Sequence, residues 1–203
     1  MTTIAFPTLS FADASAVDIG LKANTQVFVS DLSGYAQTLE LPGARWTLSF
    51  AFPPLRRQDA RLLAAFLAQL RGQANRARVP VWGRKSPVGT WAGAGSVNGG
   101  SQTGAQLVTH GFTAGATVKA GDFFNVGTNG ELKVVTQDGA ADGGGNLTVS
   151  FEPPLRASPA DGTALVFSSP VVPLMIPQDP HLIYSLGEAD LAAFRFDLVE
   201  VFA

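Results

Sequence analysis

Two histidines are the first residues to consider for chemistry, because imidazole binds zinc and transfers protons near neutral pH. His110 and His181 are the only histidines in the chain, and they stand far apart in the sequence. A zinc site could combine both with a carboxylate, but no His-x-x-x-His or His-x-His spacing supports one. We therefore expect both histidines in loops or on a sheet surface, and we predict no bound metal.

Three oxygen ligands recur among glycines further along the chain. Asp138, Asp142 and Asn146 follow one another at four-residue intervals. A calcium loop places ligands at every second position and a glutamate at its twelfth, and this segment has neither. A glycine-rich hairpin turn accounts better for these residues.

Motifs for nucleophilic or phosphate chemistry are missing from the sequence. Residues 93–100, GAGSVNGG, lack the Gly-Lys-Ser/Thr ending of a phosphate loop, and no Gly-x-Ser-x-Gly elbow occurs. The chain has no cysteine, which excludes a thiolate nucleophile and a thiolate zinc site. Carboxylates stand mainly in predicted turns, as do Asp31, Asp59, Asp122 and Asp161, and a pair that cleaves a sugar bond stays an open alternative. We predict no catalytic residue, no cofactor and no enzyme activity.

Positive charge is concentrated in one segment. Eight of the 14 lysines and arginines lie within residues 56–85, where Asp59 is the one acid. A solvated helix face that carries Arg57, Arg61 and Arg71 explains this, and a contact with an acidic subunit or with nucleic acid is the alternative. The net charge of −2 and the lack of interleaved aromatic residues argue against nucleic acid. We expect a solvated face, and we keep the three arginines as candidate subunit contacts.

Low charge is the main feature of the overall composition. Apolar residues make up 46% of the 203 residues and charged residues 15%. Because interface cores are depleted in charge, this favours a surface covered by neighbouring subunits, although a β protein rich in glycine and alanine would also show it. No apolar run reaches the length of a membrane span. Residues 1–15 lack the regions of a secretory signal, so we expect synthesis in a cytoplasm.

The elements that would hold these residues are mostly strands. Residues 45–52 alternate between apolar and polar or small side chains, as in a strand with one buried face. Pro53-Pro54 should end this strand, and Pro153-Pro154 should end a second one, because proline donates no hydrogen bond. Residues 78–82 predict a short edge strand, since Pro80 would interrupt a central one.

At about residues 57–71 the apolar spacing becomes that of one amphipathic helix. Its apolar stripe comprises Leu62, Leu63, Phe66, Leu67 and Leu70. Gly72 is the predicted C-cap.

Residues 15–52 alternate like an antiparallel meander, and residues 194–203 predict a long terminal strand tied into the same sheet. The side chains predicted to form the core of this part are Trp46, Leu48, Phe50, Phe66, Leu67, Leu70, Phe194 and Phe196.

A change of composition divides the chain. Residues 86–105 have the Gly, Ser, Ala and Thr content of a linker or loop. Beyond them, several short strands without a helix predict a small barrel or sandwich, with Asn129-Gly130 as one hairpin turn. We therefore predict a main domain of residues 1–90 plus 170–203, interrupted by an inserted β domain at residues 95–168.

Residues 39–83 resemble the distal tail protein and related minor tail proteins at the tail tip of long-tailed bacteriophages. The matching pattern is a tryptophan strand, a Pro-Leu turn, a helix with spaced apolar residues, and an Arg-Gly ending. Its residues here are Trp46, Pro54, Leu55, Ala60, Phe66, Leu67, Leu70, Arg71 and Gly72. The later region is similar through Ala120-Gly121-Asp122-Phe123, Val134-Val135, Ala140-Ala141-Asp142, Pro153-Pro154-Leu155-Arg156 and Asp161-Gly162.

The resemblance implies a mainly β fold, a tail-tube-like β-sandwich with one flanking helix and an inserted small β domain. It also implies a structural virion protein that forms a ring, commonly a hexamer, at the distal end of the tail. Its partners would be further copies of itself, the tail tube protein, the tail hub protein and the tape measure protein. The ring would leave a channel for DNA without sequence-specific contact to it.

The alternative function is a carbohydrate-binding β-sandwich module that recognises a host surface. Such a module groups exposed aromatic side chains on its loops. Trp82 and Trp91, which flank the glycine-rich segment, are the candidates for this role.

Overall fold

The computed structural model describes residues 2–9, 16–128, 130–178, 185–186 and 192–202. These residues form a mainly β fold with one helix, as the sequence predicted. The chain divides into two compact units, one of Met1–Arg76 with Leu174–Ala203 and the other of Ala77–Pro173. The predicted boundaries lay near residues 90–95 and 168–170. The difference arises because Trp91, which the sequence placed before the inserted domain, lies in the hydrophobic core of the second unit.

Helix α1, Arg57–Leu70, lies within the first unit. The other elements that lie mainly in the first unit are strands β1 Thr3–Ala5, β2 Ala16–Lys22, β3 Thr25–Val29, β4 Ala36–Glu40, β5 Arg45–Leu55, β16 Ser185–Leu186 and β17 Ala192–Glu200. The chain leaves this unit within β6, Arg76–Pro80, and returns within β15, Val171–Met175. The strands of the second unit are β7 Gly93–Val97, β8 Gly104–Phe112, β9 Thr117–Val118, β10 Phe123–Val126, β11 Leu132–Val135, β12 Gly139–Ala140, β13 Leu147–Leu155 and β14 Leu165–Val166.

The larger sheet has the strand order β1-β6-β15-β17-β5-β2, and β16 also pairs with β17. Within it, β17 is antiparallel to β15 and to β5, and β5 is antiparallel to β2. The terminal strand β17 lies between β15 and β5, so the prediction that it is tied into the sheet is confirmed. The prediction of an edge strand at residues 78–82 was wrong, because strand β6 is internal, between β1 and β15. It tolerates Pro80 because this residue is its last, and the next amide, that of Val81, donates to the carbonyl oxygen of Pro170.

The predicted meander of residues 15–52 was wrong in its pairing. Strand β2 pairs directly with β5, in register from Ala16 with Ala51 to Lys22 with Arg45. Strands β3 and β4 pair only with each other and form a separate hairpin. Alternation in sequence is the same for either pairing, so it could not distinguish them.

Both Pro-Pro pairs lie inside strands instead of ending them. Strand β5 continues through Pro53-Pro54, and β13 continues through Pro153-Pro154. Each strand changes register with a neighbour at this place. The pairing of β5 with β17 shifts between Ala192 and Phe194 of β17, and the pairing of β13 with β8 shifts between Ser150 and Leu155 of β13. Irregular pairing of this kind removes the need for the missing proline N–H groups.

The core of the first unit lies on one face of β5 and β17 and under α1. The eight residues predicted from sequence as core, Trp46, Leu48, Phe50, Phe66, Leu67, Leu70, Phe194 and Phe196, are all buried. Phe6 joins them, with its ring centroid 5.8 Å from that of Phe50 and 5.1 Å from that of Phe66. Aromatic contacts between Phe6, Phe50 and Phe66 therefore join the buried leucines of α1 in holding the helix against the sheet.

Two details of α1 differ from the sequence prediction. Leu62 is 46% exposed and does not belong to the buried stripe of α1. That stripe consists of Asp59, Leu63, Phe66, Leu67 and Leu70. The helix ends at Leu70, and Arg71 adopts the left-handed conformation at φ 48° before Gly72 at φ 61°. Gly72 therefore follows the C-cap instead of forming it.

The second unit is a nearly closed barrel. Its sheet order is β14-β10-β11-β13-β8-β7, and a bridge between Ser96 of β7 and Ala164 beside β14 brings the two edges together. The amide of Val97 donates to the carbonyl oxygen of Thr163 at 2.9 Å across this seam. The pairing of β10 with β11 confirms the predicted hairpin, although Asn129 of its turn lies outside the described residues.

The segment predicted as a linker, residues 86–105, forms part of this barrel. It contains strand β7 and the buried side chains of Trp91 and Val97. Its glycines fit because Gly95 lies against the ring of Phe112, where an added Cβ would come 2.3 Å from a ring carbon. Small residues here permit close packing. From composition alone, the same residues predicted a flexible linker.

Candidate interaction surfaces

The first candidate surface is the arm, defined as the β3–β4 hairpin with its turn, residues 25–40. Thr25 pairs with Glu40 and Val29 with Ala36, so the two strands form a regular ribbon. Every residue of both strands is exposed to solvent. The turn is closed by the amide of Ser30, which donates to the carbonyl oxygen of Tyr35 at 2.9 Å.

The arm carries large apolar side chains on these exposed strands and at its turn. Phe28 is 59% exposed, Val29 60%, Tyr35 80%, and Leu32 at the turn is fully exposed. An isolated two-stranded hairpin is marginal in water because it has no third strand or helix to bury its apolar residues. Exposed apolar groups concentrated in this way mark a surface that another molecule covers.

The second candidate surface is the basic helix face, defined as the exposed side of α1 and its C-cap. The members of this face are Arg57, Gln58, Arg61, Leu62, Ala65, Ala68, Gln69 and Arg71. The three arginines are those predicted from sequence as candidate subunit contacts. All three are exposed to solvent.

The positive charges on this face destabilise the helix when no partner covers them. Arg57 and Arg61 stand four residues apart at the N-terminal end, where like charges repel and the helix dipole disfavours cations. Asp59, the one acid of the segment, is 1% exposed and adds no negative charge to the outer surface. The sequence prediction of Asp59 in a turn was wrong, because Asp59 lies in α1, and all charged side chains on the outer face are basic.

In the described part of the chain, one histidine and one serine lie close enough to be examined for chemistry. Ser96 Oγ lies 3.4 Å from His110 Nε2 across paired strands, but His110 Nδ1 is buried and has no hydrogen-bond partner among the described residues. A catalytic triad needs an acid at that nitrogen. Residue His181 lies outside the described part of the chain. Within the residues that are described, no group of three His, Cys, Asp or Glu side chains could hold a metal ion.

Asp142 and Asn146 form one hydrogen-bonded turn of the glycine-rich segment, and Asp138 lies outside that turn. Asp142 Oδ1 accepts from the amides of Gly144 and Asn146 at 2.8 and 2.9 Å. Asp138 lies elsewhere, with Oδ2 2.7 Å from Lys119 Nζ. Asp142 thus stabilises its own turn, whereas Asp138 binds Lys119 and the amide of Ala120. The prediction of one hairpin turn for all three residues was wrong, because β12 pairs with β9 and β13 pairs with β8.

The carboxylate of Asp122 is buried and fixes the segment that leads into β7, a role that the sequence did not indicate. Asp122 Oδ2 accepts hydrogen bonds from Trp91 Nε1 at 2.8 Å and from the amides of Gly89 and Lys119, both at 3.0 Å. Asp122 Oδ1 accepts from the amide of Val88 at 2.6 Å. Burial raises the pKa of Asp122, but the hydrogen bonds outweigh it and hold the pKa below its ordinary value.

This carboxylate has a structural role, because all its near partners are donors that fix residues 88–91 onto the barrel. No local sequence motif predicts this role, since Trp91 and Asp122 lie in different segments of the sequence. The one indication was a tryptophan, Trp91, within a glycine-rich stretch, and this residue was predicted to be exposed.

A second buried ionic group holds the Pro-Pro segment of β13. Lys133 Nζ is fully buried and lies 2.6 Å from Glu131 Oε2. It also donates to the carbonyl oxygens of Pro153 and Pro154, both at 2.8 Å. The ammonium therefore satisfies carbonyls that the irregular pairing of this strand leaves outside the regular ladder.

The aromatic pair proposed for glycan binding is not an exposed pair. Trp91 is 1% exposed, with its ring against those of Phe112, Phe124 and Phe167. Trp82 is half-buried, and Lys85 Nζ lies 5.7 Å from its ring centroid. The prediction that Trp91 is available to a sugar was therefore wrong.

Comparison with models of known protein families gives no match. A search of curated protein sequences gives no match either. In the described part of the chain, no helix has the length and apolar character needed to cross a bilayer.

Proposed function

We propose that this chain is a structural virion protein of a long-tailed bacteriophage. It forms a ring at the distal end of the tail, joins the tail tube to the tail-tip hub, and leaves a channel for DNA. The proposed partners are copies of itself, the tail tube protein, the tail hub protein and the tape measure protein. Its role is mechanical and involves no catalysis and no sequence-specific contact with nucleic acid.

The exposed arm is the observation that carries this proposal. A ribbon with Phe28, Leu32 and Tyr35 in water gains stability when a partner covers it, and a repeated subunit is the simplest partner. The sequence resemblance of residues 39–83 supplies the biological setting. The net charge of −2 suits a conduit, because a slightly negative wall does not bind DNA phosphates.

Negative-stain electron microscopy of the purified protein at several concentrations, with light-scattering mass, tests the ring. We expect closed rings with a central hole. A variant in which a short Gly-Ser turn replaces residues 25–40 should lose them while keeping its β circular dichroism. Antibodies against the chain should label the distal end of tails in particles that contain it.

The outcome that contradicts the proposal is a chain that stays monomeric at every concentration and labels no tail. Binding of such a monomer to a carbohydrate array would then support the alternative function, a glycan-recognition module. Loss of array binding in a Trp82→Ala variant would identify the half-buried Trp82 as the residue involved.

A further inference from the structure

The arm and the basic helix face are complementary in charge. Residues 23–42, which contain the arm, include Asp31 and Glu40 but no lysine or arginine. The helix face presents Arg57, Arg61 and Arg71, and the only acid of α1 is buried. Opposite charges on two different surfaces of one chain favour contact between successive copies and oppose contact of either surface with itself.

The two surfaces are also complementary in apolar character. Leu62 is the one large apolar side chain that α1 exposes, at 46%, and the small residues Ala65 and Ala68 extend the apolar strip beside it. The arm offers Leu32 at its turn and Phe28 on its first strand. A projecting apolar side chain can therefore meet a shallow apolar strip that runs beside the arginines, so that apolar contact and opposite charge lie next to each other.

The spacing of the charges agrees on the two surfaces. Glu40 lies beside Thr25 at the base of the ribbon and Asp31 lies in its turn, which separates the carboxylates by about 15–20 Å at the rise of a strand. Arg61 and Arg71 are separated by about 15 Å along the helix axis. An arm laid parallel to α1 can engage both ends of the face at once.

We propose that the arm of one copy lies along the basic helix face of the next copy. Asp31 then meets Arg57 and Arg61, Leu32 packs on Leu62, and Glu40 faces Arg71. The contact joins different surfaces, so repeating it generates a ring when the rotation closes. The inference rests on the ring proposed above and names the surfaces that build it.

A charge-swap experiment tests this interface. Asp31→Arg with Glu40→Arg reverses the arm, and Arg57→Glu with Arg61→Glu and Arg71→Glu reverses the helix face. Each of these two variants places like charges together and should weaken self-association about 100-fold or more. An equimolar mixture restores opposite charges at every contact, so sedimentation velocity should recover the mass of the wild-type assembly. Arg84→Glu with Lys85→Glu, in the same basic segment but outside α1, is the matched control and should assemble like the wild type.

Cross-linking tests the predicted contact directly, because the chain has no cysteine of its own. Leu32→Cys with Leu62→Cys should give a disulfide between copies, identified by mass spectrometry of a mixture of isotopically light and heavy protein. Leu32→Cys with Val108→Cys, which places the second thiol on an exposed barrel residue, should give at most a background yield.

The results separate the interface from the ring. Recovery of mass in the mixture and the specific disulfide support the interface. If both charge-reversed variants form rings of the wild-type size, or if the mixture does not recover the wild-type mass, the interface is overturned and the ring proposal still stands. A wild-type chain that is monomeric and forms no such disulfide overturns both.

Discussion

Replacing Asp122 by asparagine should destabilise the second unit, because the carboxylate accepts four hydrogen bonds in a buried site. The amide oxygen of asparagine can replace only one of the two carboxylate oxygens. In the position of Oδ2 it would keep the bonds from Gly89, Trp91 and Lys119, and its NH2 group would then face the amide of Val88. The opposite orientation would leave three donors without an acceptor, so the first orientation should prevail.

The cost follows from the two donors that then face each other. Each unsatisfied buried donor costs about 1–3 kcal/mol. The hydrogen bond of the Val88 amide is only partly buried, so this donor can reach water after a small shift. We therefore expect the free energy of unfolding to fall by about 2–4 kcal/mol at neutral pH.

The loss should also depend on pH in a defined direction. The folded pKa of Asp122 is below its unfolded value, so its contribution is fully present above an unfolded pKa of about 3.9 and is lost as the pH falls through the folded pKa. The asparagine variant has no such titration. The stability difference between wild type and variant should therefore stay constant above about pH 5 and narrow below about pH 4.

Urea unfolding followed by tryptophan fluorescence measures the loss, and amide hydrogen exchange of residues 86–92 locates it. Exchange in this segment should accelerate in the variant. Asp18→Asn, an exposed carboxylate on β2, is the matched control and should change stability by less than about 0.5 kcal/mol. An Asp122→Asn protein with stability within about 0.5 kcal/mol of wild type and unchanged exchange would refute the anchoring role.

Three further substitutions test the packing. Phe66→Ala should cost about 3–5 kcal/mol in urea unfolding by opening a cavity under α1, whereas Leu62→Ala on the exposed side should cost less than about 1 kcal/mol. Lys133→Met should cost about 3–5 kcal/mol, because it leaves a carboxylate and two carbonyls without their donor, and thermal unfolding should show a lowered midpoint. Gly89→Ala should cost about 2 kcal/mol, because its Cβ would lie 2.4 Å from the carbonyl oxygen of Thr117, and hydrogen exchange should rise beside it.

Each of these has an outcome that contradicts it. Equal losses for Phe66→Ala and Leu62→Ala would mean that α1 is not packed by its Phe66 face. A Lys133→Met protein as stable as wild type would mean that the buried ammonium is replaceable by apolar packing. A neutral Gly89→Ala would mean that the backbone at Thr117 can move away.

The sequence indicated the elements whose signal is local. The change of apolar spacing near residue 57 predicted α1, because a helix needs its buried side chains three and four positions apart. Alternation predicted the buried face of β5 and β17, including Phe50 and Phe196, because successive side chains of a strand point to opposite faces. The β10–β11 hairpin followed from two apolar runs that flank a short polar turn.

Strand order and burial of the glycine-rich segment required the tertiary structure. Alternation is the same in an edge strand, an internal strand or a free hairpin, so it did not show that β17 is internal or that β3 and β4 leave the sheet. Composition indicated a linker at residues 86–105, but closure of the barrel makes small residues necessary there. Trp91 and Asp122 meet only because that closure brings them together.

By itself, therefore, the sequence determined which residues form the helix and which sides of the long strands are apolar. These properties depend on the spacing of neighbours along the chain. Only the tertiary structure decided that Asp59 is buried while Leu62 is exposed, and that the apolar arm stands in solvent. Burial depends on what lies opposite a residue in space, and the partners come from distant parts of the chain.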